Sequence, residues 1–170
     1  ARHEAFQAYC AREAWWLDDY ALFRARLAHE DGRAWWHWPE ALRDAAPAAL
    51  ARADADLAGE IGYRKYVQWL ADGQWADARR AAAPVRLYGD LPFMISGNSA
   101  DVWRRQDEFR RDVTVGAPPD AFAADGQDWG LPAWRWRVMQ HRGFAWFRAR
   151  ARRHAELFDG FRIDHLVGLY

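Results

Sequence analysis

Two apolar runs in this chain end in charge. The run Phe158-Asp159-Gly160-Phe161-Arg162-Ile163-Asp164 starts apolar and then alternates. Successive side chains of a strand face opposite ways, so Arg162 and Asp164 share one face while Phe161 and Ile163 share the other. A second predicted strand, Val85-Arg86-Leu87-Tyr88-Gly89-Asp90-Leu91-Pro92, carries Asp90 at its C-terminal end and is stopped by Pro92. Its Gly89 permits close backbone approach. Strands that end in Arg and Asp are what a (β/α) barrel places at its catalytic mouth. The plainer alternative is a strand finished by a solvated ion pair. Residues 93–157 lie between the two strands, far more than a minimal crossover, which predicts an inserted functional loop.

The rest of the pattern is helical or punctuated. Phe6, Cys10, Glu13, Trp16 and Leu17 predict a first helix, and Asp18 or Asp19 caps a second with the stripe Tyr20, Phe23, Leu27. Asp31-Gly32 ends it. Residues 35–39 read as a loop, with Pro39 opening a short helical turn. Residues 48–82 are helical around Leu57, Ile61 and Leu70, but Gly59, Gly62 and Gly73 argue against one unbroken helix. Ser99 caps a short helix through Arg104. Residues 112–133 hold three Gly and three Pro and predict a loop. A short helix follows from Trp134 to His141. The last helix is expected to bury Phe144, Phe147, Ala151 and Ala155 and to solvate Arg148, Arg152 and Arg153.

Composition narrows the function classes. The chain has 170 residues and 24 basic against 24 acidic side chains, for a formal charge of +0. That balance gives no reason to expect a nucleic-acid or membrane-surface partner. A single cysteine, Cys10, fits a reducing, cytoplasmic compartment. The His residues lack metal-ligand spacing, so neither a metal nor a cofactor is expected. Twelve Trp is a high count. Flat aromatic faces suit sugar clefts, but most of these Trp are expected to pack between helices. The chain begins without Met and stops just after a strand, which suggests a segment of something longer.

Five motifs occur in order: Gly89-Asp90-Leu91-Pro92-Phe93, Ser99-Ala100-Asp101-Val102-Trp103, Gly116-Ala117-Pro118-Pro119-Asp120, Gly126-Gln127-Asp128-Trp129-Gly130-Leu131-Pro132 and Phe161-Arg162-Ile163-Asp164-His165. Together with Trp15-Trp16-Leu17-Asp18-Asp19-Tyr20-Ala21-Leu22-Phe23, they resemble the 4-alpha-glucanotransferase (amylomaltase, disproportionating enzyme) family over nearly the whole chain. The family enzyme is several times larger than one βαβ unit, so the chain is expected to cover its middle part. The resemblance implies an α/β fold, part of a (β/α)8 TIM-type barrel with its third and fourth strands. It implies a helical subdomain at 1–83 and a barrel segment at 84–170, with an active-site lid loop at 112–133. The implied activity is retaining transfer of an α-1,4-glucan segment from maltooligosaccharides or starch to a sugar 4-hydroxyl. Asp164 matches the nucleophile, Arg162 the arginine beside it, and Asp90 a carboxylate that contacts sugar. Residues 116–130 match the lid, with Trp129 and Phe122 as its aromatics and Asp120 as a further sugar contact. The family's general acid/base Glu and third carboxylate match nothing here.

The chemistry is coherent from below. Retaining transfer needs a carboxylate that attacks the anomeric carbon and another that protonates the leaving oxygen, about 5–5.5 Å away. A guanidinium two residues earlier on the same strand face favours the ionised nucleophile. A long aromatic lid can exclude water and bind the acceptor. His165 adjoins Asp164 but faces the other way, so it is read as packing. Asp101, Asp120, Asp125 and Asp128 are most simply turn and cap residues. Two other functions stay open on sequence: an alpha-amylase-type glycoside hydrolase with the same nucleophile, and a non-catalytic glucan-binding protein.

Overall fold

The structure, a computed structural model, describes residues 1–164. His165 and the rest of the final motif lie outside the described residues. Two compact units are present: Ala1–Asp77 with Asn98–Arg104, and Ala78–Gly97 with the chain from Arg105 onward.

The first unit is helical. α1 (Arg2–His29) buries Tyr9, Glu13, Leu17, Ala21 and Ala25, a stripe at every fourth position that runs through the predicted break. Asp18 and Asp19 therefore do not divide it into two helices. Their carboxylates pair laterally instead, Asp18 with Lys65 at 2.6 Å and Asp19 with Arg104 at 2.6 Å. A local cap signal lost to partners distant in sequence. After a single-turn 3₁₀ helix at Trp35–His37 come α2 (Glu40–Arg43), α3 (Pro47–Asp56) and α4 (Ala58–Ala82). The doubt about the three glycines is settled by a break at Leu57, after which α4 is unbroken. A Cβ at Gly59, Gly62 or Gly73 would meet nothing within 4 Å. α5 (Ala100–Arg104) starts where Ser99 Oγ accepts the Val102 N–H at 3.3 Å, the predicted cap. Its Trp103 packs with Phe23 and Trp38 at ring-centroid distances of 5.5–5.8 Å. Trp103 donates its indole N–H to the Leu42 carbonyl at 2.8 Å. Trp35, Trp38 and Trp103 are all buried, so these tryptophans are core, as expected.

The second unit holds the strands. β1 (Tyr88–Asp90) and β4 (Gly160–Arg162) pair in parallel, with Tyr88 opposite Gly160, Gly89 opposite Phe161 and Asp90 opposite Arg162. The two glycines are required here. A Cβ on Gly89 would lie 2.6 Å from the Phe158 ring, and one on Gly160 would lie 2.5 Å from the Tyr88 ring. Each strand thus offers a bare position to an aromatic ring, Phe158 just before β4 and Tyr88 of β1, a side-chain approach rather than the backbone approach expected at Gly89. Strands of a complete barrel are buried on both faces, yet Tyr88 is 71% exposed, because among the described residues two such strands pair.

Residues 112–133 are not an irregular loop. β2 (Phe109–Ala117) and β3 (Gln127–Trp134) form an antiparallel hairpin with register shifts near Arg110–Thr114 and Val115–Gly116. The Gly and Pro content hid it. Pro132 pairs with Thr114 beside a shift, where a strand tolerates proline. Only 118–126 connects the strands. The hairpin base is anchored by Phe109 on Trp134, with centroids 4.2 Å apart, and by the Trp134 indole N–H to the Phe93 carbonyl at 2.9 Å. Beneath it the buried Glu108 receives the Arg142 guanidinium at 2.8 Å.

α6 (Trp136–His141) precedes Gly143, whose φ is +60°. α7 (Ala145–Leu157) does not bury the predicted stripe. Trp146 is its buried residue, 5.5 Å from the Trp134 ring, and Phe144 stays exposed at the helix entry in a left-handed conformation. One indole buries more area than the alanines of the expected stripe, so it sets the inward face.

Candidate active site

The C-terminal ends of β1 and β4 bring Asp90, Arg162 and Asp164 together. Parallel register places Asp90 beside Arg162. The guanidinium fork closes on the Asp90 carboxylate with Nε to Oδ1 at 2.9 Å and Nη2 to Oδ2 at 3.1 Å. Nη2 also donates to Asp164 Oδ2 at 3.3 Å. The expectation assigned Arg162 mainly to Asp164. Here it gives its two-pronged bond to Asp90 and a single longer one to Asp164. The hydrogen bond from Arg162 holds the Asp90 carboxyl below the usual carboxylate range, and Asp90 in turn raises the Arg162 guanidinium above its ordinary value. All three side chains are open to water, at 59% for Asp90, 63% for Arg162 and 74% for Asp164.

Chemically this is a fixed cation between two carboxylates on one rim. Asp90 occupies the bidentate face of the fork, so its oxygens are oriented. Asp164 shares the cation through one oxygen. Among the described residues no group of three or more His, Cys, Asp or Glu side chains is arranged to hold a metal ion.

The remaining predicted site residues belong to the hairpin. Asp120 Oδ1 accepts the N–H groups of Phe122 and Ala123, each at 2.8 Å, and so builds the tip turn. That turn presents Phe122 at 98% exposure. Trp129 lies on β3, half-buried, and its indole donates to Gln127 Oε1 at 2.9 Å. Asp128 likewise serves the backbone, accepting the Gly130 N–H at 2.9 Å.

Sequence reasoning missed Asp159. Its Oδ2 accepts the Leu87 N–H at 2.8 Å and its Oδ1 takes Arg79 at 3.1 Å, while its own N–H donates to the Leu87 carbonyl at 2.9 Å. This reciprocal pair sets the register that puts Asp90 beside Arg162. The signal available was an acidic residue directly before the start of a strand.

The comparisons with known proteins agree on one family. The family model described as 4-alpha-glucanotransferase matches residues 1–170. The 4-alpha-glucanotransferase of Thermus thermophilus is 40% identical over 173 residues, covering 97% of this chain and 35% of its own length. That of Aquifex aeolicus is 35% identical over 175 residues, covering 98% of this chain and 36% of its own. The structure of an amylomaltase from Streptococcus agalactiae in complex with acarbose matches with a TM-score of 0.90 at 28% identity, over 98% of this chain and 35% of that one. The chain therefore has an α/β fold similar to amylomaltase structures, and it spans about a third of the length of the curated relatives it matches. With a family model that runs from the first residue to the last, and relatives of that description at this identity, the chain belongs to the 4-alpha-glucanotransferase family.

Proposed function

We propose that this chain carries the nucleophile side of a retaining 4-alpha-glucanotransferase that moves α-1,4-glucan segments between maltooligosaccharides or starch chains. The observation that carries the reading is the Asp90–Arg162–Asp164 cluster at the ends of two parallel strands, in a chain of this family. Asp164 attacks the anomeric carbon and forms a covalent glucosyl ester, and the leaving oxygen takes its proton from an acid supplied outside these residues. Asp90, oriented by the Arg162 fork, hydrogen-bonds the sugar. The second half-reaction reverses the first, with a sugar 4-hydroxyl in place of the departed chain.

The strands are the third and fourth of a TIM-type barrel in this reading. Residues 84–170 carry the barrel segment and its lid, and residues 1–83 the helical subdomain. The hairpin is the lid. Its tip presents Phe122 to an acceptor sugar, with Trp129 behind it and Asp120 shaping the turn and contacting sugar. Acarbose in the amylomaltase structure supports a carbohydrate ligand. A reducing, cytoplasmic setting is consistent with the single Cys10.

The test uses the full-length enzyme. A fluorinated glucosyl donor should trap an ester on Asp164, read by mass spectrometry, and a label on any other carboxylate defeats the assignment. Maltotriose separates the alternatives. Transfer yields longer chains as well as glucose, an alpha-amylase-type hydrolase yields only shorter ones, and a non-catalytic glucan-binding protein yields neither.

A further inference from the structure

One bond at the site involves none of the three charged side chains. His154, in the last turn of α7, places Nε2 3.0 Å from the carbonyl oxygen of Asp90. A carbonyl only accepts, so Nε2 carries the proton. Nδ1 lies 3.2 Å from the Arg150 carbonyl, one turn back in the same helix. The neutral Nε2–H tautomer and the imidazolium both make the Asp90 bond, and the neutral Nδ1–H tautomer does not. The Phe158 and Phe161 rings lie near the imidazole, with centroids 6.0 and 5.9 Å away.

The peptide unit that joins Asp90 to Leu91 is thus held at both polar groups. Its carbonyl accepts from His154, and its N–H, that of Leu91, donates to the Arg162 carbonyl at 2.8 Å. Fixing this plane fixes ψ of Asp90, and with it the direction in which the Asp90 side chain leaves the strand end.

We infer that His154 is a positioning residue. From α7 it pins the peptide after Asp90, so that the Asp90 carboxylate meets both the Arg162 fork and the sugar. The inference rests on the functional reading above, and its test separates the two.

In the full-length enzyme, His154→Phe keeps an aromatic ring near Phe158 and Phe161 but removes the donor. It should lower kcat/KM for maltotriose disproportionation about tenfold, the upper worth of one neutral hydrogen bond. His154→Gln, whose amide N–H can reach the same carbonyl, should restore most of that loss. In an Asp90→Asn background, His154→Phe should cost nothing further, because the carboxylate it positions is gone. Rates are taken per molecule trapped by the fluorinated donor, so a loss of folded protein does not register. Additive losses, or a Gln variant as poor as Phe, overturn the inference. A second readout is independent of activity. In histidine-labelled wild-type enzyme, the ¹⁵N resonances of His154, assigned by their disappearance in His154→Gln, should show a protonated Nε2. A neutral Nδ1–H form overturns the inference even in a fully active enzyme. Wild-type enzyme that shows the Nε2–H form yet does not disproportionate maltotriose overturns the functional reading, and with it the catalytic consequence of the tether.

Discussion

Both ends of the β1/β4 pair join an arginine to an aspartate, and the two ends use that pair differently. Where the strands begin, Asp159 spends one oxygen on the Leu87 N–H and the other on Arg79, and Arg79 spends a further N–H on the Glu156 carbonyl at 2.7 Å. Every strong bond there goes to the backbone or to a group already bound to it. Where the strands end, the Arg162 fork reaches the Asp90 and Asp164 side chains, and the carboxylates on either side face water. The same chemical pair is a register clip at one end and, under the proposed function, the reactive rim at the other. Residue type does not decide between them. What decides is whether the backbone consumes the charges, which agrees with the division of parallel α/β folds into a stabilising end and a functional end.

That contrast can be broken by experiment. Asp164→Asn should lower turnover by at least about 10³-fold with unchanged folding, because a near-isosteric amide cannot attack. Asp159→Asn should do the opposite, lowering the thermal midpoint while turnover per folded molecule holds. If the Asp159 variant loses as much turnover as the Asp164 variant, the two ends are not functionally distinct.

Arg162→Lys should cost about tenfold or more in kcat/KM, since an ammonium cannot reproduce the bidentate fork on Asp90. Equal kinetics for Lys and Arg would show that charge alone suffices there. Trp129→Ala should shift products from transfer toward hydrolysis by a few-fold, as a lid that seals less well admits water. An unchanged product ratio would detach the hairpin from acceptor selection.

The smallest expected effect is on acid stability. Asp90 and Asp159 are both held below the ordinary carboxylate range, Asp90 chiefly by the Arg162 hydrogen bond and Asp159 chiefly by the Leu87 N–H. A folded-state value below the unfolded one gives stability that is full above the unfolded value and lost as pH falls through the folded one. Thermal midpoints should therefore drop as pH falls below the ordinary carboxylate range. Asp159→Asn should flatten that drop, and a slope identical to wild type would remove Asp159 as its source.

The approach of Arg162 to Asp164 was legible because a spacing of two puts both side chains on one side of an extended chain, although β4 itself stops at Arg162, short of the expected strand end. The Ser99 cap was legible for a similar reason, since it acts within one turn of chain. The continuity of α1 was not, because the fate of Asp18 and Asp19 depends on Lys65 and Arg104, far along the sequence. The hairpin was hidden by its own Gly and Pro residues, which local statistics read as loop and which cross-strand pairing accommodates at register shifts. The inward face of α7 was misjudged because Trp146 finds Trp134 across the unit.

By itself, then, the sequence determined which residues carry charge to the strand ends and where most helices start and stop. These follow from backbone periodicity and from bonds made within a turn. Tertiary structure alone decided that Arg162 forks onto Asp90, that Asp159 sets the register, and that His154 reaches the Asp90 carbonyl. Each of those contacts joins residues more than 60 positions apart. Hydrogen bonds act over about 3 Å, so their partners exist only once the chain has folded them into reach.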